Sequence, residues 1–377
     1  MLRVTNLIKS TLEQKRERKL NGAIAIWNFT NRCNLECKHC YSYAKADSKD
    51  FLSTSFIISK IKELKEGGVK FVIFSGGEPL IREDIFEIAQ EMHNNGIFTY
   101  LSTNGLFINK KNVSKIIEHF NYIGISIDGI EEVHDNFRGM RGAFKKSIEA
   151  IKLINSSGGS AGIRFTITKD TQDSFYDIFE LATNLGVNKL YISHLVYSGR
   201  GLDNLKMDIT KEKRREFVEY IIKRAFEFVE NNIDFDIVTG NMEMDAILLY
   251  KEFKKRYPHL ADDLLERLKN WGGNSAGRNL LNINYKGEVR PDPFFPFVIG
   301  DLTKSHFRDI WVNSDNEILK ALRKFPRELK GDCQNCKAIS ICNGGSRSRA
   351  YAIYGDLWEM DPSCYLSLSE REMNFGR

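Results

Sequence analysis

The chain has 377 residues, 42% of them hydrophobic and 28% charged, with a formal net charge of +5. That length allows one domain of about 200 to 250 residues plus an appendage, and the mild charge offers no basic stripe for nucleic acid. No apolar run approaches the ~18 residues of a membrane span and no secretory leader is evident, so a cytoplasmic protein with no membrane partner is expected.

Residues 1–12 read as a short amphipathic helix running into the basic segment 15–19. From residue 23 to residue 194, short apolar runs alternate with amphipathic stretches. Strands are expected at 23–29, 70–75, 98–103, 122–127, 162–168 and 190–194, and helices at 54–66, 84–95, 111–119, 142–156 and 175–185. Gly67, Gly96, Gly158 and Gly186 suit helix C-caps. This alternation is that of βα units around a parallel sheet. Six units are too few for a closed eight-stranded barrel, so the expected fold is α/β, a partial (β/α)6 barrel. Helices follow at 211–231, 243–255 and 259–270, then a break at Trp271-Gly-Gly-Asn-Ser-Ala-Gly277, then a hairpin of 280–285 and 288–290 around Lys286-Gly287. The expected parts are an N-terminal helix (1–22), the barrel (23–210), a helical linker (211–270) and a cysteine-bearing extension (271–377).

Seven cysteines in a reducing compartment point to metal ligation or catalysis rather than to disulfides. Cys33, Cys37 and Cys40 follow the first barrel strand. Structural zinc and cubane iron–sulfur sites take four protein ligands, so three close thiols point to a [4Fe–4S] cluster with one open iron; a zinc knuckle with an incidental third thiol is the alternative. Cys333, Cys336, Cys342 and Cys364 can fully ligate either Zn²⁺ or a [4Fe–4S] cluster, and their spacing does not choose. In parallel α/β folds reactive groups gather at the carboxyl ends of strands. There stand Ser75-Gly-Gly-Glu-Pro79, Ser102-Thr-Asn-Gly105, Ser126-Ile-Asp-Gly129, Arg164 and Ser193-His194.

Cys33-X3-Cys37-X2-Cys40, with Gly76-Gly-Glu-Pro79 at the next strand end, resembles the signature of the radical S-adenosylmethionine (SAM) superfamily. The resemblance implies that the open iron binds SAM, whose reductive cleavage yields a 5′-deoxyadenosyl radical. It places Gly76, Gly77, Glu78 and Pro79 at the methionyl end of SAM, Ser102 and Asn104 near the ribose and His39 near the adenine. Ser126, Asp128 and Arg164 are candidates for the remaining polar contacts, Arg164 for the carboxylate. The glycines would let backbone approach the methionyl group without a Cβ in the way.

The cysteine tail is similar to the SPASM extension of radical SAM enzymes, which in full form carries two auxiliary clusters. Here Asn274, Asp292 and Ser346 stand where the first of these would take cysteines, while all four ligands of the second are present. Two [4Fe–4S] clusters in all are therefore implied, one binding SAM and one auxiliary, with structural Zn²⁺ in the tail as the alternative.

Several further stretches, among them Tyr191-Ile-Ser-His-Leu-Val-Tyr-Ser-Gly-Arg-Gly201 and Arg290-Pro-Asp-Pro-Phe-Phe-Pro296, resemble the NirJ family of heme d1 biosynthesis and its relatives in the siroheme-dependent heme pathway. That family has Thr-Tyr-Trp-Trp where this chain has Pro293-Phe-Phe-Pro296. The resemblance implies a tetrapyrrole substrate, 12,18-didecarboxysiroheme, and removal of its propionates. Deacetylation to iron-coproporphyrin III is the nearest alternative, and peptide maturation a more distant one. A reducing donor such as ferredoxin or flavodoxin is implied. For the substrate, His194 is the candidate axial ligand or proton donor, Arg200 the candidate carboxylate clamp, and Phe294, Phe295 and Phe297 the candidate walls. A non-catalytic metal-binding module would leave the aligned strand-end polar groups without purpose.

Overall fold

The computed structural model describes residues 1–15 and 22–375, so the basic segment 15–19 lies outside it except for Lys15. Among the described residues one open sheet holds eleven strands. They are β1 (Leu2–Arg3), β2 (Ala23–Thr30), β3 (Val69–Gly76), β4 (Phe98–Thr103), β5 (Tyr122–Ser126), β6 (Ala161–Ile167), β7 (Lys189–His194), β8 (Asp236–Gly240), β9 (Leu280–Ile283), β10 (Glu288–Arg290) and β11 (Gly300–Asp301). β2 to β8 lie side by side in chain order, all parallel. β1 adds antiparallel to β8, and β9 adds parallel to β2, so the expected hairpin of β9 and β10 extends the barrel sheet itself.

The six expected barrel strands are present. The seventh, β8, is absent from the sequence-based expectation because Asp236–Gly240 is a five-residue run hidden behind a 20-residue helix.

The helices are α1 (Val4–Leu12), α2 (Thr54–Glu66), α3 (Ile85–Asn94), α4 (Val113–His119), α5 (Glu132–Arg138), α6 (Ala143–Ser156), α7 (Phe175–Asn184), α8 (Arg200–Asp203), α9 (Lys211–Glu230), α10 (Asp245–Arg256) and α11 (Ala261–Trp271). α2 begins where the Ser53 hydroxyl accepts the Phe56 N–H, and it buries Ile57, Ile61 and Leu64 at four- and three-residue spacing. α9 is capped likewise by Thr210 and buries Phe217, Val218, Ile221, Ile222, Ala225 and Phe226. At the end of α2 the left-handed position belongs to Gly68, φ +88°, rather than to Gly67. α5 is also absent from the sequence reading, and it carries a residue that matters below. No helix among the described residues is long and apolar enough to cross a membrane.

Strand alternation decides which side chains reach the site. In β7, Leu190, Ile192 and His194 are fully buried, whereas Tyr191 and Ser193 face the cavity at the mouth of the sheet. Ser102, Ser126, Arg164 and Thr166 line the same cavity from β4, β5 and β6.

Candidate cluster and cofactor site

The segment after β2 carries Cys33, Cys37 and Cys40 through a loop with almost no regular structure, so side chains from elsewhere hold its shape. Arg200 donates through Nε to the Cys37 carbonyl (2.8 Å) and through Nη1 to the Ala44 carbonyl (3.2 Å), while its own N–H reaches the Cys40 carbonyl (2.9 Å). Arg200 thus braces the cysteine loop through Nε and Nη1, a positioning role in place of the expected substrate clamp, while its Nη2 is buried without a hydrogen-bond partner. The three thiols line one cavity, and burial pushes Cys33 up to about 12 and raises Cys37. Thiols so reluctant to ionise alone are at home where a cationic metal centre takes their charge.

The turn after β3 closes directly on this loop. Gly77 N–H donates to the Thr30 carbonyl and Glu78 N–H to the Arg32 carbonyl, both at 2.8 Å. A Cβ on Gly76 would strike the Thr30 carbonyl oxygen, and one on Gly77 the Arg32 carbonyl oxygen. The glycines are therefore required by the cysteine loop packed behind them, and both line the cavity.

Glu78 is fully buried and accepts from the Asn104 N–H (2.8 Å), the Thr103 hydroxyl (2.7 Å) and the Leu80 N–H (3.1 Å); burial pushes its carboxyl up to about 7. Pro79, buried, opens the short helical turn that follows. Together they shape the turn. The Asn104 amide donates to the Asn34 side chain at 2.8 Å, which ties the end of β4 to the cysteine loop.

Ser102, Ser126 and Arg164 open onto the cavity. The Arg164 guanidinium lies over the Tyr191 ring, 4.6 Å from its centroid, with no hydrogen bond among the described residues, and is free to meet a carboxylate. His39 stacks on Phe137 with centroids 4.7 Å apart, and burial lowers its pKa to about 4, so a neutral imidazole edges the cavity.

Asp128 departs from its expected role. Its carboxylate is fully buried, with Oδ1 accepting the Thr166 N–H at 2.7 Å and Oδ2 paired with Arg138. It holds protein, and no oxygen is left for SAM. Arg138, at the end of α5, also donates through Nη1 to the Cys37 sulfur at 3.5 Å. Sequence reading missed it; the signal was one of two arginines, with Arg141, soon after Asp128-Gly129 in a stretch given no element.

His194 borders the cavity, but its ring turns toward Arg214 of α9 and Asp245 of α10. It is fully buried, with Nδ1 accepting from Arg214 at 3.0 Å and Nε2 lying 3.6 Å from the Asp245 carboxylate. The ring is thus held between α9 and α10, with Nδ1 engaged by Arg214 and Nε2 directed at Asp245. Of the candidate aromatic walls only Phe294 reaches the cavity, edge-on to Tyr41 at 5.3 Å. Phe295 is fully buried beside Leu322 and Leu357, and Phe297 packs on Tyr351.

Cys333, Cys336, Cys342 and Cys364 line a second, small cavity together with Asp361 and Arg371. The three positions that lack cysteine are structural. Asn274 bridges the Arg327 guanidinium (3.0 Å) and Glu243 (3.1 Å), Asp292 accepts the Phe294 N–H (2.8 Å), and Ser346 caps the helix Arg347–Tyr354.

Residues 27–182 match the Radical SAM superfamily and residues 275–337 match the iron–sulfur cluster-binding domain SPASM. The chain is 36% identical to the pre-heme d1 synthase of Dinoroseobacter shibae over 92% of its own length and 87% of that protein's. The chain belongs to the radical SAM superfamily. To the Fe-coproporphyrin III synthase of Methanosarcina barkeri it is 34% identical, over 92% of this chain and 88% of that one. Streptococcus suis SuiB bound to S-adenosylmethionine shares the fold, with a TM-score of 0.70 at 16% identity over 92% of this chain and 78% of that one. It is thus a radical SAM enzyme with an α/β partial barrel and a C-terminal SPASM domain, and its domains imply SAM and two [4Fe–4S] clusters as cofactors. The donor sets fit them: three thiols around an open position, and four thiols around a closed one.

Proposed function

We propose that this radical SAM enzyme serves heme biosynthesis, removing the propionate side chains of 12,18-didecarboxysiroheme. The observation that carries the reading is the 36% identity to a pre-heme d1 synthase, sustained over 92% of the chain. Cys33, Cys37 and Cys40 would hold three irons and leave the fourth for SAM, which when bound supplies a radical able to take hydrogen from a substrate side chain. Arg164 would hold the SAM carboxylate, Ser102 and Ser126 would meet its polar edge, and His39 would edge the adenine. Phe294 and Tyr41, edge to face on the cavity wall, offer the flat apolar surface that a macrocycle needs. The four tail thiols would hold a closed auxiliary cluster that relays electrons or braces the fold. The enzyme would work in the cytoplasm, supplied by ferredoxin or flavodoxin.

A second reading, removal of acetates to give iron-coproporphyrin III, is favoured by the nearly equal 34% identity to an Fe-coproporphyrin III synthase. Anaerobic turnover of 12,18-didecarboxysiroheme with SAM, followed by mass spectrometry of the tetrapyrrole, separates the two by the mass lost. An unchanged tetrapyrrole, with deoxyadenosine formed on another substrate, would remove both.

A further inference from the structure

We propose that Arg138 sets the reduction potential of the SAM-binding cluster, acting on the Cys37 sulfur through a hydrogen bond and a buried positive charge, with Asp128 as its opposing partner. The inference rests on family membership and is independent of which tetrapyrrole is the substrate.

Arg138 closes α5, where Gly139 at φ +75° ends the helix, and the residue is only 8% exposed. One arm of the fork, Nη1, lies 3.5 Å from the Cys37 sulfur, and the other, Nη2, pairs with Asp128. The carboxylate that aims it is itself fixed. Asp128 Oδ1 accepts the Thr166 N–H at 2.7 Å, the Asp128 N–H donates to His134 Nδ1 at 3.0 Å, and His39 Nε2 stands 4.0 Å from Oδ2. α5 is in turn tied to the cysteine loop, since the Phe137 carbonyl accepts the Lys38 N–H at 3.1 Å. A guanidinium held this rigidly, out of water and against a cluster ligand, is more than a surface arginine caught by chance.

Iron–sulfur potentials follow net charge, hydrogen bonds to sulfur and exposure to solvent. Reduction adds negative charge, so a buried cation and an N–H donor at a ligand sulfur both favour the reduced state, and a buried carboxylate beside them disfavours it. Arg138 and Asp128 therefore push the cluster in opposite directions, a signature that loosened packing does not produce.

The test is an electron paramagnetic resonance-monitored redox titration of the anaerobically reconstituted holoenzyme. The SAM-binding cluster is recognised as the signal that changes when SAM is added. Arg138→Gln is expected to make that cluster harder to reduce by about tenfold in the equilibrium, ~59 mV for a one-electron couple. Asp128→Asn is expected to move it the other way, and Arg138→Lys, which keeps the charge but loses the fork, to fall between Arg138→Gln and the parent. Equal potentials, or a downward shift in both Arg138→Gln and Asp128→Asn, would overturn the proposal. Should Arg138→Gln not load iron, Arg138→Lys and Asp128→Asn decide it, and an unmoved or lowered Asp128→Asn potential would sink it.

Discussion

The Oε2 of Glu78 accepts the backbone N–H of Asn104 at 2.8 Å, so the turn after β3 and the end of β4 are one hydrogen-bonded unit inside the protein. Replacing Glu78 by Ala leaves that N–H and the Thr103 hydroxyl proton buried without an acceptor, at about 1–3 kcal/mol each. Thermal unfolding of Glu78→Ala should show the loss, and SAM binding should weaken as Asn104 and its bond to Asn34 loosen. Unchanged melting and SAM affinity would show that the turn stands without its carboxylate.

Arg164 has its guanidinium stacked on Tyr191 and its donors free of protein partners among the described residues. Arg164→Ala should weaken SAM binding about tenfold or more, ~1.4 kcal/mol, in equilibrium binding to the reconstituted enzyme, with little change in melting temperature. Full affinity in the variant would remove Arg164 from the SAM site.

His194 sits between Arg214 and Asp245 with no exposure, and its loss would empty a buried site and take one partner from each, Arg214 keeping Asp208 and Asp245 keeping the Tyr365 hydroxyl. His194→Ala should destabilise the fold by about 1–3 kcal/mol for the lost buried hydrogen bond, yet leave the optical spectrum of a bound iron tetrapyrrole unchanged. A spectrum that lost an axial-imidazole signature in this variant would restore His194 as an iron ligand.

Burial raises the Asp292 carboxyl from 3.8 to about 6, and the neighbouring Glu243 adds to the shift. The folded chain then binds this proton more tightly than the unfolded one, so stability falls as the pH rises from about 4 to about 6 and levels off above. Asp292→Asn should flatten that part of the stability curve and gain on the parent above about pH 6. Anaerobic chemical denaturation across this range measures it, and an unaltered slope would contradict the assignment.

Much of this architecture is legible in the residues because parallel βα units announce themselves through alternation, and the spacing of Cys33, Cys37 and Cys40 is distinctive. What the sequence hides is direction. His194 occupies a strand end, but its parity turns it toward α9 and α10; Asp128 and Arg200 bear suitable charges that are consumed by Arg138 and by backbone carbonyls far along the chain. Arg138 lay in a seven-residue helix too short for periodicity to reveal. Such roles depend on contacts between residues from 10 to 163 positions apart, which no local pattern records.

The parallel pairing of β9 with β2 bears on how the enzyme can be handled. β2 leads straight into the cysteine loop, and without residues 280–283 its free backbone groups would form an unprotected sheet edge. Exposed edges invite pairing between molecules. Cutting the chain before β9 should therefore yield sticky, association-prone protein rather than an independent barrel, so the auxiliary region also acts as the barrel's guard against self-assembly.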